Sequence, residues 1–232
     1  LAVLKGLAEK LASPGGSLSR DETALMVRVV GRLERLSENL LDLARARPMH
    51  VEPVELRSLV EESWLLVRLD RGAHLVEFVN AVPRGLVAEC SPDRIGQVLL
   101  NILRNAVDAL PAGRPGRIEA GGALSERSGR RWVTLSIADN GPGVHPEVLG
   151  RLFEPFVTTR LDSLGTGLGL AVAEGIVREH GGVLLGRNRP GGGGAVFEIV
   201  LPAQQGPEPA AVAPAQTVAG VGGGAAREDP HG

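Results

Sequence analysis

The sequence predicts an α+β protein in which an antiparallel helical hairpin precedes a two-layer α/β sandwich. Apolar residues recur at helical spacing through residues 1–12 and 20–47, whereas residues 51–202 mix short strand patterns with helical ones. Such a mixture buries its apolar faces with strands in one layer and helices in the other. We therefore expect three segments: a hairpin at 1–47, a sandwich at 48–203 and a disordered tail rich in glycine, alanine and proline at 204–232.

The hairpin is predicted from one apolar stripe and one helix break. The stripe recurs at three- and four-residue intervals, through Leu25, Val29, Leu33, Leu36, Leu40 and Leu43. Ser13–Gly16 interrupts the helical pattern, so the two helices become antiparallel neighbours. A stripe of this kind must be buried, and two helices alone have too small a core. We favour a homodimeric four-helix bundle over packing on the chain's own sandwich, because Pro48 and Pro53 form a linker directly afterwards.

The helices and strands of the sandwich are predicted from changes in the spacing of apolar residues along the chain. Helices are predicted at 55–69, 92–110 and 168–180, with Ser91 as a candidate N-cap and Gly181-Gly182 as a helix stop. Strands are predicted at 51–54, 75–79, 86–90, 117–124, 132–138, 183–187 and 195–201.

Composition limits the possible partners. The 232-residue chain has a net charge of −2, which argues against nucleic acid as a partner. It lacks a signal peptide and an apolar run long enough to span a bilayer, so we expect no membrane contact by these residues. Its single cysteine, Cys90, fits a reducing, cytoplasmic location.

Two asparagines are the first candidate site residues. Asn101 and Asn105 stand four residues apart on a predicted helix, so their amides share one face. Magnesium prefers oxygen ligands, and one or two protein ligands suffice beside phosphate oxygens. Alone, the pair is better explained as two solvated asparagines. The apolar Ile102, Leu103 and Ala106 favour a helix that lies on the sheet with its polar face over a cleft.

Asp139 ends an apolar strand and leads into Asn-Gly-Pro-Gly. A carboxylate there can accept a hydrogen bond from the exocyclic amine of adenine, where guanine carries an oxygen. Gly141 and Gly143 allow a sharp turn and a close approach to a flat base. An ordinary turn after a strand explains these residues equally well.

A glycine-rich segment, Gly165-Thr-Gly-Leu-Gly169, leads directly into a helix. Its backbone N–H groups and the helix N-terminus suit phosphate binding. The segment is neither a dinucleotide fingerprint nor a P-loop, because it lacks a preceding strand and a Gly-Lys ending. A flexible linker is the alternative, and the immediate start of the helix at Leu170 argues against it.

Phe153 and Phe156 flank Glu-Pro and lead into residues 157–164. We predict a mobile lid over the phosphates, anchored by the two rings; two core aromatics before a loop is the simpler interpretation. Arg160 is the candidate lid cation for the γ-phosphate, and a solvated surface arginine is nearly as good an explanation.

In their order and spacing, these motifs resemble those of bacterial sensor histidine kinases of the nitrogen-regulator-like type. They match the family's N box (101–109), G1 box (139–143), F box (153–156) and G2 box (165–169). The sandwich resembles the Bergerat (GHKL) ATP-binding fold, and the hairpin resembles most of the dimerisation and phosphotransfer domain. The resemblance implies ATP and Mg²⁺ as cofactors, phosphorylation of a histidine, and relay to an aspartate of a response-regulator receiver domain.

The resemblance also implies residue roles. Asn105 would bind magnesium and Asn101 would lie near the phosphates. Asp139 would recognise adenine, in a base pocket shaped by Gly141 and Gly143. The remaining nucleotide contacts would come from Phe156, Thr158, Thr159, Arg160, Gly165, Thr166, Gly167, Leu168 and Gly169.

The chain departs from the family pattern in two places. The H box, of the type His-Glu-Leu-x-Asn-Pro, is absent, so we expect the acceptor histidine upstream of Leu1, in a parent protein that can also carry a membrane anchor. These residues alone would then bind ATP without phosphorylating themselves. Asp108 stands where many relatives have a lysine, so Arg160 or Arg104 supplies that charge or nucleotide affinity is modest.

Two other kinds of function remain open. Without an acceptor histidine, the protein would be a nucleotide-sensing pseudokinase or dimeric scaffold. It could also be another GHKL ATPase or an anti-sigma serine kinase. The ATPases place a glutamate base one helical turn before the magnesium asparagine, and Asn101 at that position argues against water activation.

Overall fold

The hairpin consists of α1 (Ala2–Ala12) and α2 (Arg20–Ala44). The computed structural model describes residues 2–44, 49–69, 73–111, 115–157 and 167–204. Helix α2 begins with a capping box, because Ser19 Oγ accepts from Glu22 N (3.2 Å) and Glu22 Oε2 accepts from Ser19 N (2.8 Å). Lys10 at the end of α1 bonds the same glutamate at 2.6 Å, which ties the two helices together.

The apolar stripe of α2 remains partly uncovered within one chain. Leu25 is 37% exposed, Leu33 is 38% exposed and the neighbouring Val27 is 67% exposed. The side chains of Leu36, Leu40 and Leu43, and residues 45–48, lie outside what the structure describes. No described helix is both long and apolar enough to cross a membrane.

The rest of the chain alternates strands and helices. The strands are β1 (Glu52–Glu55), β2 (Val76–Ala81), β3 (Val87–Cys90), β4 (Gly116–Arg127), β5 (Arg130–Asp139), β6 (Val183–Asn188) and β7 (Ala195–Pro202). The helices are α3 (Leu56–Arg68), α4 (Pro92–Ala109), α5 (Pro146–Leu149) and α6 (Gly169–Glu179). A short 3₁₀ turn, Ala73–Leu75, precedes β2.

The strands form a mixed five-stranded sheet in the order β2-β4-β5-β7-β6 and a two-stranded sheet of β1 and β3. Only β2 and β4 pair in parallel; the other neighbours in the large sheet are antiparallel. The central strand β5 therefore ends, at Asp139, between β4 and β7. This register places the last residue of β5 close to the first residue of β7.

Helices α3, α4 and α6 pack together as the second layer, which confirms the predicted two-layer sandwich. The sheet-facing side of α4 is fully buried, through Ile95, Val98, Leu99, Ile102 and Leu103. Each such side chain contributes about 1.5–3 kcal/mol relative to exposure. The opposite face of α4 is consequently left for polar residues, among them Asn101 and Asn105.

Every helix and strand predicted from the sequence is present, with ends within three residues of the prediction wherever those ends are described. The short α5 and the 3₁₀ turn were not predicted. Ser91 does occupy the N-cap position of α4, but its side chain makes no capping bond. Its backbone N–H instead donates to His180 Nε2 at 3.0 Å. The predicted tail lies outside the described residues after Gln204.

Candidate nucleotide-binding site

The motifs that are separated in the sequence lie together in the folded protein. Asn101 Nδ2 on α4 donates to Gly169 O at the start of α6 (3.1 Å). A Cβ built on Gly141 would lie 3.1 Å from Ala109 O, so the loop after β5 lies against the other end of α4. The N box therefore lies between the G1 box and the start of α6.

Asp139 is a buried carboxylate, only 3% exposed, at the end of β5. Its Oδ1 accepts hydrogen bonds from Gly141 N (2.8 Å) and Ala195 N (3.2 Å). No described residue donates to Oδ2. Burial raises the pKa of Asp139 above its usual range, and the two backbone bonds and Arg189 oppose that rise. One oxygen is thus fixed by the protein and the other is left for a ligand.

The loop after Asp139 is held by a side chain that sequence reasoning missed. Asn188, the last residue of β6, accepts from Val144 N (2.7 Å) and donates to Val144 O (2.8 Å). Gly143 has a φ of +82°, and a Cβ there would approach Asn188 Oδ1 to 2.8 Å. The glycine is therefore required both by the backbone conformation and by the closeness of the amide.

The β6–β7 turn forms a further wall of the same site. Gly194 has a φ of +125°, and a Cβ there would overlap Asp139 O. Arg189 Nη1 donates to that carbonyl at 3.3 Å, and Arg189 N donates to Gly194 O at 3.0 Å. The sequence signal for this wall is the glycine run after Pro190.

The two asparagines of α4 are placed as predicted, on one polar face. Asn101 is half-buried and uses its amide N–H on Gly169 O, which leaves its side-chain oxygen as an acceptor. Asn105, one turn later, is exposed. Ile102, Leu103 and Ala106 are buried against the rest of the core, which confirms the predicted orientation of the helix.

The F box meets the G2 box through backbone atoms. Phe156 N donates to Gly167 O at 2.9 Å, and a Cβ on Gly167 would lie 2.6 Å from the Phe156 carbonyl carbon. Both residues have positive φ, +67° in each case. The prediction that both rings anchor this segment is wrong for Phe156, which is 69% exposed; Phe153 packs against the core.

The remaining G2 residues are only partly described. Leu168 is buried, and Gly169 begins α6. The predicted contacts Thr158, Thr159, Arg160, Gly165 and Thr166, and with them most of the predicted lid, lie outside the described residues.

His180 has a structural role. It is buried at the end of α6, where Nε2 accepts from Ser91 N and Nδ1 donates to Ile176 O (2.8 Å). Arg94 pairs with Glu179 at 2.8 Å beside it. These contacts tie the end of α6 to the start of α4, while Asn101 ties the middle of α4 to the start of α6.

Comparison with known proteins gives the class of this fold and site. Residues 90–205 match the family model described as histidine kinase-, DNA gyrase B-, and HSP90-like ATPase. The sensor histidine kinase ZraS of Salmonella typhimurium is 35% identical in an alignment 207 residues long, which covers 87% of this chain and 42% of ZraS.

Two solved structures extend the comparison. Full-length ShkA in complex with AMPPNP is 27% identical with a TM-score of 0.62, over 87% of this chain and 42% of ShkA. Histidine kinase ThkA in complex with response regulator protein TrrA is 25% identical with a TM-score of 0.67, over 87% of this chain and 57% of the matched chain.

The chain belongs to the histidine kinase-, DNA gyrase B- and HSP90-like ATPase family, as an ATP-binding catalytic core of the bacterial sensor histidine kinase type. It spans 42% of the length of ZraS.

Proposed function

We propose that this chain binds Mg-ATP for the phosphorylation of a histidine outside it, with relay of the phosphoryl group to an aspartate of a response-regulator receiver domain. The observation that carries the proposal is the state of Asp139. Its carboxylate is buried, one oxygen is saturated by two backbone N–H groups, and the other faces no described donor. The second oxygen is not among the described side-chain atoms that are buried without a partner, so it is still accessible to solvent and to a ligand that donates to it.

Adenine is the base that supplies this donor. Its exocyclic amine donates to Asp139 Oδ2, whereas the oxygen of guanine at the same position would face the carboxylate with a lone pair. Gly141 and Gly143 keep the loop free of side chains that would block a flat base. The family name and the AMPPNP complex of ShkA support an adenine nucleotide at this site.

The polar face of α4 fits magnesium held together with phosphate. No cluster of three or more His, Cys, Asp or Glu that could hold a metal exists in the described parts of the chain. Magnesium beside a polyphosphate needs only one or two protein oxygens. Asn105 would provide one, and the free oxygen of Asn101 would bind a metal-bound water or a phosphate. The ion would neutralise charge on the phosphate oxygens.

The start of α6 would receive the phosphates. Gly167, Leu168 and Gly169 come directly before or at its first turn, where the positive end of the helix dipole suits phosphate oxygens. We propose that Gly165 and Thr166 extend this cradle, and that Phe156, Thr158, Thr159 and Arg160 complete it from the F-box side. During transfer the γ-phosphorus loses its bond to the ADP oxygen and gains a bond to the imidazole nitrogen of the acceptor.

The acceptor histidine and the receiver domain would both be supplied from outside these residues. None of the histidines at positions 50, 74, 145, 180 and 231 lies in the hairpin, so the chain by itself is not expected to autophosphorylate. The complex of ThkA with TrrA supports a receiver domain as the partner of such a core.

The hairpin would bring two copies together. A four-helix bundle would cover the exposed part of the α2 stripe, including Leu25 and Leu33. Sedimentation equilibrium of the wild type and of Leu33→Asp tests this proposal. A dimer that becomes a monomer in the variant supports it, and a monomeric wild type contradicts it.

Calorimetry tests the nucleotide site directly. ATP and GTP are titrated into the chain with and without magnesium. Saturable binding that prefers ATP and responds to magnesium is the expected result. Absence of ATP binding would contradict the proposal, and equal affinity for GTP would remove Asp139 from base recognition.

A further inference from the structure

We propose that Asn188 is a positioning residue for adenine recognition, acting on Asp139 through the loop that joins them. The proposal rests on the adenine site proposed above and adds a specificity-determining residue far from its motifs. Asn188 lies on β6, 44 residues after its partner Val144.

The first step is the geometry of the amide. Asn188 Oδ1 accepts from Val144 N at 2.7 Å and Nδ2 donates to Val144 O at 2.8 Å. The side chain therefore satisfies both backbone groups of one residue, as a neighbouring strand would. A hydrogen-bonded pair of this kind fixes both the position and the orientation of the Val144 peptide groups.

The second step is the connection from Val144 to the carboxylate. The loop Asp139–Val144 begins with the bond from Gly141 N to Asp139 Oδ1 (2.8 Å). The same start of the loop is held by Asn140, which accepts from Arg117 N (2.8 Å) and donates to Pro115 O (3.1 Å). Asn188 holds the far end of the loop through its two hydrogen bonds to Val144. Loss of that end lets Gly141 drift, and Gly141 N is the closer of the two backbone donors, with Ala195 N, that hold Asp139 Oδ1 and so orient the carboxylate.

The third step explains why other residues do not serve at position 188. An aspartate retains the acceptor for Val144 N but places a second acceptor against Val144 O. An alanine removes both bonds. Gly143 shows how closely the loop and amide fit, because a Cβ there would lie 2.8 Å from Asn188 Oδ1.

Asn80 provides a matched control. It is also a half-buried asparagine whose amide donates to a backbone carbonyl, Arg57 O at 3.1 Å, and accepts from a backbone N–H, Val82 N at 3.2 Å. It lies on β2, at the opposite edge of the sheet from β6. Asn80→Ala should therefore reproduce the structural cost of Asn188→Ala without touching the loop.

The experiment measures ATP and GTP affinity of the wild type, Asn188→Ala and Asn80→Ala by calorimetry with magnesium. We expect Asn188→Ala to bind ATP about tenfold more weakly and to lose part of its preference over GTP. Asn80→Ala should retain both. If the wild type binds ATP and both variants keep its affinity and preference, Asn188 is merely structural. If the wild type binds no ATP, the adenine site itself is refuted, and this role with it.

Folding is monitored separately. Cys90, the single cysteine, is buried, and burial raises the pKa of its thiol to about 12. Slow thiol labelling of each variant therefore reports an intact fold. If Asn188→Ala fails this check, the isosteric Asn188→Asp takes its place. Hydrogen exchange of the Val144 amide gives a readout without nucleotide: faster exchange confined to the loop is expected, and unchanged exchange overturns the inference.

Discussion

The two ends of the proposed nucleotide site are built differently. The base side, formed by Asp139–Val144 and Asn188–Ala195, is joined by a continuous set of hydrogen bonds around a carboxylate that is 3% exposed. On the phosphate side, Asn105 is exposed and Phe156 is 69% exposed. The base side is organised before binding, which lowers the cost of selecting adenine. The phosphate side would obtain its partners from the nucleotide and metal.

The largest effect should come from breaking the base side. Asp139→Asn should weaken ATP binding by about 1–3 kcal/mol, because the amide oxygen keeps the two backbone bonds and its N–H₂ then faces the adenine amine. GTP binding should not weaken, since the same N–H₂ can donate to the guanine oxygen. Calorimetry with both nucleotides measures this. Asp93→Asn, at an exposed position in the first turn of α4, is the control.

The next effect should come from the phosphate side. Asn105→Ala should lower ATP affinity in magnesium by at least about tenfold and leave affinity in EDTA nearly unchanged. The fold should not change, since Asn105 is exposed. ATP titrations in the two buffers measure the difference. Magnesium dependence equal to that of the wild type would show that Asn105 does not bind the metal.

The buried carboxylate of Asp139 should also lower the free energy of unfolding. Asp139→Asn should therefore weaken ATP binding and yet stabilise the folded protein. Burial raises the pKa of Asp139, so the folded protein holds this proton more tightly than the unfolded chain. The free energy of unfolding should therefore fall as the pH rises from the usual aspartate range through the raised pKa. Asp139→Asn should be more stable than the wild type near neutral pH, with the gain disappearing in acid.

Denaturant unfolding at neutral and acidic pH, without nucleotide, checks this prediction. Asp93→Asn again serves as the control and should show no such gain. A variant that is less stable than the wild type at neutral pH would mean that the carboxylate is well compensated without a ligand.

The smallest effect should come from Phe156. Its ring is exposed and its φ is +67°, so Phe156→Gly loses little packing and removes backbone strain. The free energy of unfolding should change by no more than about 1 kcal/mol, since relief of strain offsets the extra entropy of glycine. Phe153→Ala, which removes a ring that packs against the core, should cost considerably more. Equal losses would restore the ring-anchor interpretation.

Features encoded by neighbouring residues were predictable, and features built from distant ones were not. The period of apolar residues is enough to place α4 and to orient Asn101 and Asn105. The strand before Asp139 and the glycines after it identify the candidate base contact. The roles of Asn188, Arg189 and Ala195 depend on the pairing of β5 with β7 and on the β6–β7 turn. No local pattern specifies that register, and Phe156 shows that side-chain type does not reveal a positive φ.

The bond from Ala195 N to Asp139 Oδ1 has a consequence for how the protein is made. On the ribosome, Asp139 emerges well before the first residue of β7, and the last strand pairs with the middle of the sheet only after it has left the exit tunnel. A nascent chain that stops before residue 195 has the asparagines and the carboxylate but no completed base pocket. We therefore expect the proposed nucleotide site to be completed only when synthesis of the sandwich is nearly finished.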